Sequence, residues 1–455
     1  MDHWAEIIKK QRDFFSQGKT KDFSFRLNQL KLLKKIISTY ERDIYEALFV
    51  DLKRPSLETY VAEIAPIIKE IEFFQKNLKI LQKPKKVRTP LAFLPGKSYI
   101  YREPYGVVLV IAPWNYPFQL TFIPLVGALA GGNCVILKPS EYAPASAQLI
   151  SKLIGDHFAQ QHMAVAEGGK EVAEKLLNNR FDYIFFTGNR AVGEKILTAA
   201  AKYLTPVTLE LGGKCPCIVD VKIDLDVTAR RIVWGKFFNA GQTCIAVDYL
   251  LVHGVVKEAL IERMEYYIGK FFGEKPQESP DFGRIVNKSH FGRLCRLLKK
   301  GKIIIGGEID EENLYIAPTL IDEVAFDFPI MQEEIFGPLL PVMTYEHLEE
   351  AITLINSLPS PLALYLFSLD EEKGEYVRQR TSSGAIVIND VMLHQPSPYL
   401  PFGGIGQSGA GRYHGEASFA TFTYQRSVLK RPFSLDLMLR YPPYRNHLKY
   451  VKKLF

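Results

Sequence analysis

Six short segments carry residue types that do chemistry. Cys244 closes Asn239-Ala240-Gly241-Gln242-Thr243-Cys244 at the end of an expected helix. Gly241, three residues earlier, permits a tight turn that presents the thiol together with its own backbone N–H, as a nucleophile with an oxyanion donor requires. A buried structural thiol is the other reading. Glu210 interrupts the apolar, strand-like PVTLELGGK, where a carboxylate is costly without a function or a partner. It is either a general base with a pKa raised by burial or half of an ion pair, with Lys214 the candidate cation. Asn115 in APWNYP directly follows an expected buried strand, at the carboxyl edge where open α/β sheets hold ligands. Its amide could hold an oxyanion, or it could shape a turn between two prolines.

The other three segments suit a dinucleotide. Gly188-Asn189-Arg190-Ala191-Val192-Gly193 follows the apolar YIFFT and opens a helix. Its backbone N–H groups could face a pyrophosphate, or only make a strand-to-helix turn. Lys138 and Glu141, in LKPSE just after another strand end, could both bond ribose hydroxyls, or serve as a helix-start charge and cap. Glu334 and Phe336 in EIFGP could supply a second ribose carboxylate and an aromatic wall, or be a surface acid ahead of a buried ring.

The elements that would position these residues follow from composition and pattern. The 455 residues suit two or three domains, and 47% hydrophobic with 24% charged residues describe a folded globular chain. Helical spacing runs through Phe25, Leu27, Leu30, Leu33, Ile36 and Ile37, and again over 60–81. Residues 83–104 read as an extended arm. From Gly106, strand and helix alternate through 106–111, 134–138, a helix from about 144, MAVAE, a helix at 170–178 and YIFFTGN, a doubly wound unit. After LELGGK a second series begins with a helix near 224–239 and the strand DYLLVH, then strands at 316–321, 339–343, 364–367 and 385–388. The fold expected is α/β: a Rossmann-like cofactor domain (1–82 and 105–210), a second α/β catalytic domain (211–395), and a small β oligomerisation arm (83–104 and 396–425). A basic tail follows from 426. A tight boundary near 211 makes a site between the domains plausible.

Several functions are excluded. Residues 104–137 carry no charge, but Pro113, Asn115, Pro117, Pro124 and the Gly131–Gly132 pair argue for a buried strand, helix and strand rather than a membrane span. The amphipathic N-terminus MDHWAEIIKKQRDFF lacks the features of a signal peptide. Five sparse cysteines fit a reducing compartment, and a cytoplasmic location is expected. Cys215-Pro216-Cys217 has no matching Cys or His pair nearby, so no metal is expected. Fifty-seven basic against 50 acidic residues do not suggest nucleic-acid binding.

In this order, PWNYPF, LKPSE, FTGN, LELGGK, GQTC, EEIFGP and PFGGIGQSG resemble the aldehyde dehydrogenase superfamily over nearly the whole chain, and its class 3 members in particular. The resemblance implies that Cys244 attacks an aldehyde, that Asn115 and the Cys244 N–H hold the thiohemiacetal oxyanion, and that Glu210 activates the water that hydrolyses the thioester. It assigns Trp114, Lys138, Glu141, Thr187, Gly188, Asn189, Gly193, Glu334 and Phe336 to NAD or NADP, the choice left open. It implies a homodimer and medium or long aliphatic, aromatic or apocarotenoid aldehydes. Acylation of coenzyme A and a silent scaffold are the rival functions. Where longer relatives carry a glutamate after Gly-Arg, this chain has Tyr413-His414-Gly415. Residues 426–455 hold eight basic residues against the single acid Asp436, with Phe433, Leu435, Leu437, Met438 and Leu439 interleaved. This tail could rest on an anionic membrane surface or pack on the partner subunit.

Overall fold

Helices His3–Ser16, Phe23–Thr39, Glu41–Leu52 and Ala65–Leu81 precede the sheets, as the spacing predicts. Asp22 starts the second by accepting the Phe25 N–H at 2.7 Å, and its stripe of Leu30, Leu33, Ile36 and Ile37 is buried. A short helix, Ser56–Thr59, and a π-helical turn, Tyr60–Ile64, lead into Ala65–Leu81.

The charge-free stretch folds as strand Val107–Ile111, helix Gln119–Gly131 and strand Cys134–Lys138, all of them buried. Pro124, expected with the other prolines to divide the charge-free stretch, lies inside that helix instead of ending it. Burial on every side holds the helix through the missing N–H. No helix among the described residues is long and apolar enough to cross a membrane.

The first sheet has the order Gly409–Ala410, Val207–Leu211, Tyr183–Gly188, Val107–Ile111, Cys134–Lys138, Met163–Val165. The last five strands are mutually parallel, and Gly409–Ala410 runs antiparallel along Val207–Leu211 with Gly409 opposite Glu210. Parallel strands put all their carboxyl ends on one edge. Residues 111–115, 138–141, 187–189 and 210–211 therefore lie along it, with Thr187 paired to Glu210. Strand order reverses beside Val107–Ile111, which opens the crevice such sheets use for ligands.

The chain crosses to the second sheet between Leu211 and Pro216. Its order is Lys302–Ile305, Thr319–Asp322, Leu339–Tyr345, Tyr249–His253, Pro216–Val219, Ala363–Phe367, Ala385–Ile388, and only Lys302–Ile305 is antiparallel.

A third sheet is the arm, in which Lys97–Pro104 pairs with Lys85–Val87 on one side and Thr423–Lys430 on the other. The latter pairing runs unbroken from Thr423 opposite Pro104 to Lys430 opposite Lys97. This strand crosses the 425/426 division drawn from the sequence, so the first residues assigned to the tail belong to the arm. The computed structural model describes residues 3–434, 436, 438–444 and 447–452. Leu435, Leu437, Arg445 and Lys453 of the tail lie outside the described residues.

Candidate active site

Cys244 follows a turn that only particular residues can make. Asn239 and Ala240 adopt left-handed conformations (φ 53° and 51°), followed by Gly241 at φ 72°. A Cβ on Gly241 would come within 2.3 Å of the Gly337 carbonyl oxygen, so the turn needs glycine for space as well as for conformation. Gln242 locks the turn: its Nε2 donates to the Asn239 and Arg284 carbonyls at 3.1 and 2.9 Å, and its Oε1 accepts the Val286 N–H at 3.0 Å.

Asn115 is tied to this turn from the loop that follows strand Val107–Ile111 of the first sheet. Its Nδ2 donates to the Gln242 carbonyl at 3.1 Å. Its own carbonyl accepts from the Arg54 guanidinium and from Asn239 Nδ2. The fully buried Arg54 also reaches Asn239 Oδ1 at 3.1 Å and Glu63 Oε1 at 2.5 Å. Glu63 in turn accepts the Phe118 and Gln119 N–H groups. One buried cation thus joins the Asn115 loop, the Cys244 turn and the start of helix Gln119–Gly131. Neither Arg54 nor Glu63 stood out in the sequence, because nothing local distinguishes a buried pair from a solvated one.

Cys244 lines a cavity of about 220 Å3 whose walls include Tyr116, Trp234, Phe238, Met392, Phe402 and Tyr413. Trp234, Phe238 and Met392 were not singled out by sequence, since apolar and aromatic side chains look alike there whether they line a tunnel or fill a core. The Tyr116 hydroxyl hydrogen-bonds Thr243 Oγ1 at 2.5 Å, next to the cysteine. Burial, reinforced by Glu334 and Glu210, pushes the Cys244 thiol up.

Glu210 is buried with no hydrogen bond to either carboxylate oxygen. Burial pushes its pKa well above the ordinary carboxylate range, with Arg412 opposing. The ion pair with Lys214 does not form. The Lys214 ammonium instead binds Asp248 at 2.5 Å and the Ile330 and Glu333 carbonyls. Asp248 also accepts the Ile335 N–H at 3.0 Å, so this pair fixes the segment that carries Glu334 and Phe336.

The expected cofactor residues line the edge of the first sheet and the facing segment of the second. Lys138 Nζ meets Glu141 at 2.7 Å. Asn189 caps helix Arg190–Ala201 by accepting the Val192 N–H at 3.0 Å, a structural role within the turn. Gly193 brings that helix close to the sheet: a Cβ there would lie 2.9 Å from Leu211. A Cβ on Gly188 would strike the Phe186 ring at 2.5 Å. Thr187 Oγ1 and Glu334 Oε1 are buried without a hydrogen-bond partner, and burial raises Glu334 to about 8. Trp114 and Phe336 meet edge to face with ring centroids 5.4 Å apart. No group of side chains that could hold a metal ion occurs among the described residues. His414 is packed rather than cavity-lining, its ring 4.3 Å from that of Tyr413.

The chain is 50% identical to the 4,4′-diaponeurosporen-aldehyde dehydrogenase of Staphylococcus aureus, with 97% of each chain covered. It is 46% identical to aldehyde dehydrogenase family 3 member B1 of Rattus norvegicus, covering 98% of this chain and 95% of that protein. The solved substrate-bound state of Staphylococcus aureus AldH superposes with a TM-score of 0.97 at 48% identity, with 100% of both chains covered. An NAD+ complex of a Bacillus cereus aldehyde dehydrogenase gives a TM-score of 0.86 at 25% identity, covering 94% and 88%. The Aldehyde dehydrogenase family model matches residues 2–428, and so the thiol on its glycine turn, the tethered asparagine and the buried glutamate lie in a chain that belongs to the aldehyde dehydrogenase family.

Proposed function

We propose that this enzyme oxidises medium- or long-chain, aromatic or apocarotenoid aldehydes to carboxylic acids with NAD or NADP, through a thioester on Cys244. The observation that carries the reading is the pairing of a cavity thiol with a buried glutamate that has no partner of its own. The apolar walls suit a hydrophobic aldehyde, and the Staphylococcus aureus relative is named for a long polyene aldehyde.

The resting thiol is protonated, so its proton must pass to solvent as sulfur bonds the aldehyde carbon, which leaves Glu210 unprotonated for the hydrolytic step. The Asn115 amide and the Cys244 N–H hold the oxyanion that forms. The nicotinamide, when bound, supplies the hydride acceptor that converts the thiohemiacetal to the thioester. Water then attacks the thioester carbonyl, Glu210 takes a proton from that water, the C–S bond breaks, and the acid departs. A base held for water favours hydrolysis over transfer to coenzyme A.

The residues fit the cofactor. The unpartnered Thr187 and Glu334 oxygens await polar groups. Lys138 and Glu141 would meet the adenine ribose, the 188–193 turn the pyrophosphate, and Glu334, Phe336 and Trp114 the nicotinamide end. Glu141 repels a 2′-phosphate and Lys138 offsets it, so both cofactors belong in the assay. A homodimer is supported by the arm, whose strand Thr423–Lys430 is a largely exposed sheet edge.

The test follows reduced nicotinamide with NAD or NADP and aldehydes of increasing length. Cys244→Ala should abolish turnover. Glu210→Gln should keep a burst of one reduced cofactor per site and slow the steady state; an unchanged steady state would remove Glu210 from the mechanism.

A further inference from the structure

A buried base that collects protons must also lose them, and Glu210 has no ionisable group hydrogen-bonded to it. The described residues nevertheless hold an unusual run of buried polar atoms without partners beside it: the Tyr413 hydroxyl, both ring nitrogens of His394, Nε2 of His414 and Oε2 of Glu70. Tyr413 lies within electrostatic reach of Glu210 and Cys244 at one end and of Glu70 at the other. Its ring is 4.3 Å from that of His414, whose Nδ1 lies 3.8 Å from Glu70 Oε2, too far for a direct hydrogen bond. Phe402 gathers the set, with Tyr413, His394 and His414 around its ring at 5.7, 5.8 and 5.9 Å.

Buried polar atoms in native proteins are satisfied, and ordered water does so where protein does not. We propose that Tyr413, His394, His414 and Glu70, bridged by ordered water, form the route by which the proton taken up by Glu210 leaves for solvent under the 391–400 loop. This rests on the role of Glu210 proposed above. The transfer changes no covalent skeleton. Each hydroxyl or water accepts one proton and gives up another, Glu210 returns to its carboxylate, and solvent receives the proton. The outer end lies under a surface loop, since Leu393, Tyr399 and Leu400 on it are exposed.

Glu70 is anchored through one oxygen, since Oε1 accepts the Gly415 N–H at 2.7 Å while Oε2 has no hydrogen-bond partner of ordinary geometry. Burial raises it to about 7, with the Gly415 N–H and Ser418 opposing, and burial lowers His414 to about 3 and His394 to about 4. The charged and titratable groups facing the route are Glu210, Cys244 and Arg412 at the cavity end, with His394 and Glu70 facing His414 and Tyr413 from the loop and from helix Ala65–Leu81.

Glu70→Gln keeps the acceptor for Gly415 and removes the proton site. The expected result is an unchanged burst and a steady-state kcat lower by about tenfold. A carboxylate accepts a proton only when ionised, so the wild-type kcat should rise through about pH 7, and this inflection should vanish in the variant. His394→Phe, read the same way at a residue outside the cavity lining, keeps the test open if Glu70→Gln does not fold. A normal kcat and pH profile in Glu70→Gln, or a loss of burst and kcat in equal proportion with the inflection retained, would overturn the route. If Glu210→Gln fails to slow the steady state, the reading of Glu210 falls instead, so the two failures are separable.

Discussion

The side-chain amide of Asn115 and the carbonyl of Gln242 are hydrogen-bonded at 3.1 Å across the boundary between the two large sheets. The amide proposed to hold the oxyanion is therefore held by the turn that presents the thiol, and Arg54 braces the same two segments from behind. An oxyanion donor is effective when it needs no reorganisation at the moment of reaction.

Asn115→Ala should lower the rate of the burst, which reports thioester formation, by about a hundredfold or more. Stopped-flow absorbance of the reduced nicotinamide checks this, with the later hydrolysis less affected than the burst.

Gly241→Ala should be strongly destabilising, because the new Cβ would meet a backbone oxygen at 2.3 Å in a residue with φ of 72°. A loss of about 2 kcal/mol or more is expected, read as a lower Tm together with lost activity. Gly269, a helical glycine with nothing within 4 Å of its would-be Cβ, is the control: its alanine variant should match or exceed the wild-type Tm.

The thiol should be slow to alkylate in the cofactor-free protein. Burial and two nearby glutamates raise its pKa, so the thiolate fraction is small at neutral pH and grows with each pH unit. The iodoacetamide rate at Cys244 should climb about tenfold per unit across roughly pH 7 to 9 without a plateau. A plateau near pH 7 would show the thiol to be already ionised.

Removal of the tail should be made after Pro432, because a cut inside Thr423–Lys430 would destroy the arm sheet. If the basic tail rests on lipid, the full chain will sediment with anionic vesicles and the truncated chain will not; equal partitioning of both would leave the partner subunit as its resting place.

The sequence was most readable where the reason for a residue is local. Gly241 and Cys244 announce a turn with a thiol, and the apolar runs 107–111 and 134–138 read as strands buried on both faces. It was least readable where the reason lies hundreds of residues away. Lys214 looked like a partner for Glu210, yet its ammonium is taken by Asp248. The Arg54–Glu63 brace and the 413–414 contact with Glu70 exist only once three elements meet. The register of the arm was equally hidden, since nothing local opposes Lys97 to Lys430 or carries the strand past residue 425 until segments over three hundred residues apart have met.

The short strand Gly409–Ala410 has a bearing on biosynthesis. Until it arrives, Val207–Leu211 is a bare sheet edge made of Glu210 and its apolar neighbours, and such edges recruit other chains. The ribosome therefore releases the segment that closes the sheet after most of the polypeptide is already exposed to its neighbours. A nascent chain stalled before residue 409 would present this ribbon to chaperones or to aggregates, and so a two-residue strand made about two hundred residues later protects the strand that bears the base.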